Sequence, residues 1–160
     1  MSTAIFPGRY AAHATAEFVL FRIGMRFNGA RGIGAALQTF TKMPAMLAEQ
    51  GANPDIGLLS SSVSLAWPVV SLTQFWRSFD DLERYATTSQ QHTTAWRWFN
   101  KLGRAGEGTG IWHETYRIAP GSFESIYVNM PRYGLAAAVE HVPVIHQRAR
   151  ERMNEPVPTA

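Results

Sequence analysis

The sequence predicts an α+β fold: a ferredoxin-like antiparallel sheet with helices on one face. Three observations lead there. Strand-like runs alternate with stretches of helical period in the order β, α, β, β, α, β, β, followed by a helical tail. The first strand of that series is apolar on both faces, so both faces need a cover. Of the 160 residues, 46% are hydrophobic and 12% aromatic, enough for one domain with a real core.

Residues 1–15 are small and irregular around Pro7 and Gly8 and read as an N-terminal arm. "EFVLFRIGMRFN" (17–28) is rich in β-branched and aromatic residues and reads as a strand. Val19, Phe21, Ile23 and Met25 share one face; Phe18, Leu20 and Arg22 share the other. The glycine-rich "GARGIG" (29–34) lacks both the dinucleotide fingerprint and the Lys-Ser/Thr of a P-loop, and reads as a helix start. "AALQTFTKMPAMLAEQ" (35–50) has helical period, divided at Pro44.

"DIGLLSSSVSL" (55–65) and "PVVSLTQFW" (68–76) read as the next two strands. Ser78 and Asp81 form a capping-box pattern that opens a helix over 79–86. A second helical stretch follows Ser89, with His92, Trp96 and Phe99 on one stripe and Gly103 and Gly106 ending it. "TGIWHETYRI" and "FESIYVNM" flank Ala119-Pro120-Gly121-Ser122 and read as a β-hairpin. The domain is expected over 16–140, and 141–160 as a helical C-terminal tail broken at Pro143. A sheet with helices on one face leaves its other face bare. A second copy of the same sheet is the simplest cover, so a symmetric homodimer is expected.

Composition removes several classes of function. There is no cysteine, which excludes disulfides, thiolate nucleophiles, iron–sulfur clusters and Cys-based zinc sites. H-x-x-H and H-E-x-x-H patterns are absent, and no carboxylate pair at helical spacing suggests a metal. Net charge is +3 with scattered basic residues; Arg148, Arg150 and Arg152 read as a solvated helix face rather than a nucleic-acid patch. No apolar run reaches the ~20 residues of a membrane span, and the chain reads as soluble and cytoplasmic. His141 and His146 straddle Pro143 and read as surface residues.

"TQFWRSFDDLERYATTSQQHTTAWRWF" is similar to the strand-then-helix segment of the antibiotic-biosynthesis monooxygenases. Trp76 matches that family's strand-end tryptophan and His92 its second histidine, while Tyr85 stands where its first histidine often falls. More closely, "FWRSFDDLERYA", "AWRWFN", "GIWHETY" and "IYVNMPRYGLAAA" resemble a bacterial and fungal monooxygenase-related family, the fumagillin-pathway-monooxygenase-like proteins, over roughly residues 17–140. The resemblance implies a dimeric α/β barrel with a cavity between sheet and helices in each subunit. Proteins of that fold oxygenate polyketides and terpenoids without metal or flavin, degrade haem, or dehydrate aldoximes on haem.

The expected activity is therefore monooxygenation of an apolar or aromatic small metabolite with no cofactor required. Haem is the alternative, with His92 or His113 as its axial ligand. A non-catalytic small-molecule-binding dimer is a third reading. The expected catalytic residues are His113, His92 and Trp76. Tyr85, Trp96, Phe99, Thr115, Arg117, Tyr127, Asn129 and Arg132 are expected to line the substrate. An imidazole can act as base near neutral pH, a dry aromatic cavity favours carbanion chemistry, and polar side chains hold the anion. Strand parity divides 111–117 into two sets: His113 with Ile111, Thr115 and Arg117, or Glu114 with Trp112 and Tyr116. Only one set faces the cavity; the first is favoured for its imidazole.

Overall fold

The computed structural model describes residues 4–29, 53–89, 93–94, 97, 108–145 and 153. Within them lie seven strands: β1 Phe6–His13, β2 Phe18–Phe27, β3 Leu58–Ala66, β4 Val69–Trp76, β5 Thr109–Ile118, β6 Tyr127–Met130 and β7 Glu140–Pro143. The α-helix α1 spans Phe79–Thr88, and 3-10 turns occupy Pro54–Ile56 and Gly134–Ala137. The expected helix over 35–50 and the stripe His92, Trp96, Phe99 lie outside the described residues.

The four-stranded sheet has the order β3-β4-β2-β5, with every neighbouring pair antiparallel. The first and third of these strands in chain order, β2 and β4, are central, and the second and fourth form the edges. That is the ferredoxin-like arrangement the sequence predicts. β2 takes a central place because both its faces are apolar: Phe18, Val19, Met25 and Phe27 are all buried.

α1 begins at Ser78, whose hydroxyl accepts the Asp81 backbone N–H at 3.1 Å. The Asp81 carboxylate does not complete a reciprocal box. It is 4% exposed and takes the Arg77 Nε–H at 2.8 Å together with the Arg84 guanidinium. The helix packs Leu82 and Tyr85 against Val19 and Trp76, with Phe21, Ile56, Leu58 and Phe79 around them. Val19 and Trp76 are fully enclosed, and burying each such side chain contributes roughly 1.5–3 kcal/mol.

Three expectations are corrected. First, the 1–15 arm contains a strand: β1 sits at the centre of a second sheet, β6-β1-β7. Pro7 and Gly8 do not prevent this, because the register shifts between Phe6 and Arg9, with Gly8 at φ +96°. Asn129, itself at φ +52°, accepts the Gly8 N–H on its Oδ1 at 2.9 Å. Second, 141–160 does not begin as a helix: β7 pairs with β1 from Tyr10↔Pro143 to His13↔Glu140.

Third, β5 and β6 form no hairpin. The turn at 119–122 is present, with the Ser122 N–H donating to the Ala119 carbonyl at 3.1 Å. It sends the chain to a different sheet, because β5 pairs with β2 and β6 with β1. The crossing segment packs Phe123 on Phe18, 5.3 Å between ring centroids, and the Ser125 hydroxyl accepts the Ala12 N–H at 2.9 Å. The face of the four-stranded sheet away from α1 is thus partly covered by the chain itself. Phe18 and Phe75 are buried there, and Ser60 donates to the Gly134 carbonyl.

Candidate functional site

Sheet register settles which residues share a face. Reading across β4, β2 and β5, the rows Trp76–Val19–Arg117, Gln74–Phe21–Thr115, Leu72–Ile23–His113 and Val70–Met25–Ile111 lie on one side. The rows Phe75–Leu20–Tyr116, Thr73–Arg22–Glu114 and Ser71–Gly24–Trp112 lie on the other. α1 packs on Val19 and Trp76. The helix side therefore carries His113, Thr115 and Arg117, and the opposite side carries Trp112, Glu114 and Tyr116.

On the helix side, the His113 ring lies 6.0 Å from the Phe21 ring, and the Arg117 guanidinium sits 5.1 Å over the Phe79 ring of α1. His113, Thr115 and Arg117 are exposed, because β5 is an edge strand and α1 packs toward the β2–β4 side. Trp76 is fully buried, its ring 5.5 Å from that of Tyr85, and its indole N–H donates to Gln74 Oε1 at 3.2 Å. It packs the wall behind the face rather than opening onto it. Tyr85 is likewise buried in that wall.

Gln74 is a residue the motif reading missed. It is buried beside Phe21 and Thr115 in the sheet. The signal was available: an amide two residues before Trp76 in a strand points to the same side.

The opposite face holds an ion pair, Arg22 to Glu114 at 3.2 Å, with the Arg22 guanidinium 5.3 Å over the Trp112 ring. Hydrogen bonding to the Glu114 carboxylate holds the Tyr116 phenol above its ordinary pKa.

The three expected donors from "IYVNMPRY" do not join His113. Tyr127 lies in β6, and its hydroxyl accepts the Ala136 N–H at 3.3 Å. Asn129 fixes the β1 bulge. Arg132 stacks 5.7 Å over Phe6 and borders a groove beside β3, the opposite edge of the sheet from β5. His141 is not a surface residue either. Its ring stacks on Tyr10 at 4.5 Å, with Phe6 and Tyr127 edge-on at 4.9 and 5.8 Å. Burial, then the Arg132 charge, lower its pKa.

His92, Trp96 and Phe99 lie outside the described residues. Among the described residues, no three His, Asp or Glu side chains gather as metal ligands. No described helix is long and apolar enough to cross a membrane.

The motifs that lay the helix-facing surface, from β2 through the Gly134–Ala137 turn, coincide with a family match to Monooxygenase af470-like over residues 18–135. The chain belongs to that family. No curated protein matches it. Among solved structures, an aldoxime dehydratase in complex with butyraldoxime (OxdRE) is similar at TM-score 0.67 and 18% identity, over 83% of this chain and 40% of that one. A second aldoxime dehydratase aligns at TM-score 0.60 and 17% identity, over 96% of this chain and 44% of that one. SnoaB, a cofactor-independent oxygenase from Streptomyces nogalater, aligns at TM-score 0.43 and 14% identity, over 63% of this chain and 92% of its own. This family member thus shares the α+β fold of the two dehydratases while spanning less than half of either.

Proposed function

We propose that the chain is a monooxygenase acting on an apolar or aromatic small metabolite at the helix side of the four-stranded sheet. Family membership supports the class of reaction. The observation that carries the reading is the register that sets His113 beside Ile23 and Phe21 on the face bearing α1. An imidazole against aromatic and aliphatic groups can take a proton from a carbon acid while the apolar surface seats the ring system.

Oxidation of a methylene to a carbonyl needs no outside reductant. The substrate gives four electrons to dioxygen, one oxygen atom enters the product, and the other leaves as water. His113 would take the first proton. Thr115 and Arg117, on the same face, would hold the anion that forms. His92, Trp96 and Phe99 would complete the cavity from the following helical stretch. Trp76 and Tyr85, packed behind the face, would shape it without touching substrate.

A haem enzyme is the second reading: His113, the described imidazole on the helix side, or His92 would hold the iron. Haem bound there would supply redox-active iron. The part of the opposite face around Leu20, Trp112 and Tyr116 would pair with a second copy as a homodimer. We place the protein in the cytoplasm.

Oxygen uptake, followed by electrode across a panel of phenolic and polycyclic ketone substrates, tests the reading. Turnover by the colourless protein, lost in His113→Ala, is expected. A strict requirement for added haem, flavin or iron would replace it with the second reading, and a Soret band that disappears in His113→Ala would identify the ligand. No turnover and no chromophore would leave a binding protein.

A further inference from the structure

A groove of about 440 Å³ runs between the β3 edge of the four-stranded sheet and the segment 132–137. Leu59, Ser60, Ser61 and Ser62 form one wall; Arg132 and Tyr133 stand on the other. It is not part of the helix-side surface. β3 and β5 are opposite edges of the sheet, three strand spacings or roughly 14 Å apart. Ser60 and Ser62 pair with Phe75 and Thr73, which belong to the face away from His113.

The chemistry of this groove is that of an anion receptor. Among the described residues, no carboxylate pairs with Arg132. Its guanidinium is held over the Phe6 ring, so the planar fork is oriented at little further entropic cost. A bidentate carboxylate is the partner that such a fork matches best. Ser60 spends its hydroxyl proton on the Gly134 carbonyl at 3.2 Å. Ser61 pairs with Gln74 and so points to the helix side, whereas the Ser62 hydroxyl, on the groove side with Ser60, has no hydrogen-bond partner among the described residues and remains a donor. One cation with one free hydroxyl suits a single negative charge. Tyr133, 42% exposed, and Leu59 supply apolar wall for the rest of a ligand. The volume falls in the range of metabolite pockets.

We infer that this groove is a second binding site, separate from the proposed oxidation site, for a small organic carboxylate with an apolar body: Arg132 clamps the carboxylate, Ser62 donates to it, and Tyr133 covers the apolar part.

Backbone amide NMR on the full chain tests this with three probes: benzoate, benzamide and inorganic phosphate. Benzoate should shift the amides of 60–62 and 132–134 saturably and leave those of 111–117 in place. Benzamide, of the same shape without the charge, and phosphate, charged without the apolar body, should each bind at least about ten-fold more weakly. Arg132→Gln should raise the benzoate Kd by about ten-fold or more. The side chain is exposed, so the spectrum elsewhere should be kept. Ser62→Val, which fills the groove without touching the cation, should weaken binding as well. Equal binding of benzamide or phosphate, indifference to both substitutions, or shifts confined to 111–117 would each overturn the inference. None of those results bears on oxygen uptake at His113.

Discussion

His113 and Phe21 meet across the β2–β5 pair, 6.0 Å between ring centroids, on the side of the sheet that carries α1. Phe21 packs against the Val19–Trp76 core, so this contact ties an exposed imidazole to the rigid centre of the domain. A base on a rigid strand keeps its aim better than one on a loop. His113→Ala should therefore leave thermal stability within about 0.5 kcal/mol of the parent, since the side chain is exposed. It should lower kcat/KM for oxygen uptake by about 10²- to 10⁴-fold. A comparable fall in Glu114→Gln, on the other face, would move the chemistry to the wrong side of the sheet and refute the assignment.

Gly24 lies under the Trp112 ring, where an added Cβ would come within 2.6 Å of the indole. Glycine is needed there because the indole lies flat across the strand beneath the Arg22 guanidinium. If this face pairs two subunits, Trp112→Ala and Tyr116→Arg should each convert a dimer to a monomer in sedimentation velocity. Gly24→Ala, which pushes the indole out, should weaken the dimer and cost about 1–3 kcal/mol of stability. A parent protein that sediments as a monomer at micromolar concentration would remove the homodimer from the account.

Local pattern made β2 to β5 legible, and their positions follow from alternating apolar residues and the Ser78 cap. It stated the choice at 111–117 without deciding it, because β2 is apolar on both faces and gives no hint of which one carries the helix. The second sheet was illegible for a different reason. β1 contains Pro7 and Gly8, and it is a strand only because of contacts far away in the chain: Gly8 to Asn129 across 121 residues and Ala12 to Ser125 across 113. The same distance effect hid the partners of β5 and β6. A Pro-Gly turn specifies a reversal, not which strand receives the chain afterwards. Asn129 and Tyr127 look like substrate donors in the sequence; in the fold Asn129 accepts the Gly8 N–H of β1, and the Tyr127 hydroxyl accepts the Ala136 N–H of the Gly134–Ala137 turn.

Asp81 gathers Arg77, Arg84 and the Ser78 cap at the start of α1. Hydrogen bonding from Arg77 is the largest cause of its lowered pKa. A carboxyl whose pKa is lower folded than unfolded gives stability that is complete above the unfolded value, ~3.9, and lost as pH falls toward the folded one. The parent should lose Tm steeply below about pH 4, and Asp81→Asn should flatten that acid limb. At neutral pH the same substitution should cost about 1–3 kcal/mol, because two cations lose their acceptor. An acid limb identical in both proteins would show that Asp81 does not carry it.

His141 sits between Phe6, Tyr10 and Tyr127 with both ring nitrogens buried and unpartnered among the described residues. A neutral imidazole always has one N–H, so at least one donor there is unsatisfied, at a cost of about 1–3 kcal/mol. Burial, reinforced by the Arg132 charge, favours the neutral ring and lowers the pKa. The unfolded chain then binds the proton first as pH falls below ~6.5. Stability is complete above that value and declines below it until the folded ring also protonates. His141→Phe keeps an aromatic ring in the box and removes both nitrogens. It should match or exceed the parent Tm at pH 8 and exceed it by a wider margin at pH 5. Arg132→Gln removes one of the two causes, so it should reduce the parent's loss of Tm between those pH values without abolishing it. A Tm difference between His141→Phe and the parent that stays constant from pH 8 to pH 5 would mean that the box tolerates the charged ring, and the lowered pKa would have to be abandoned.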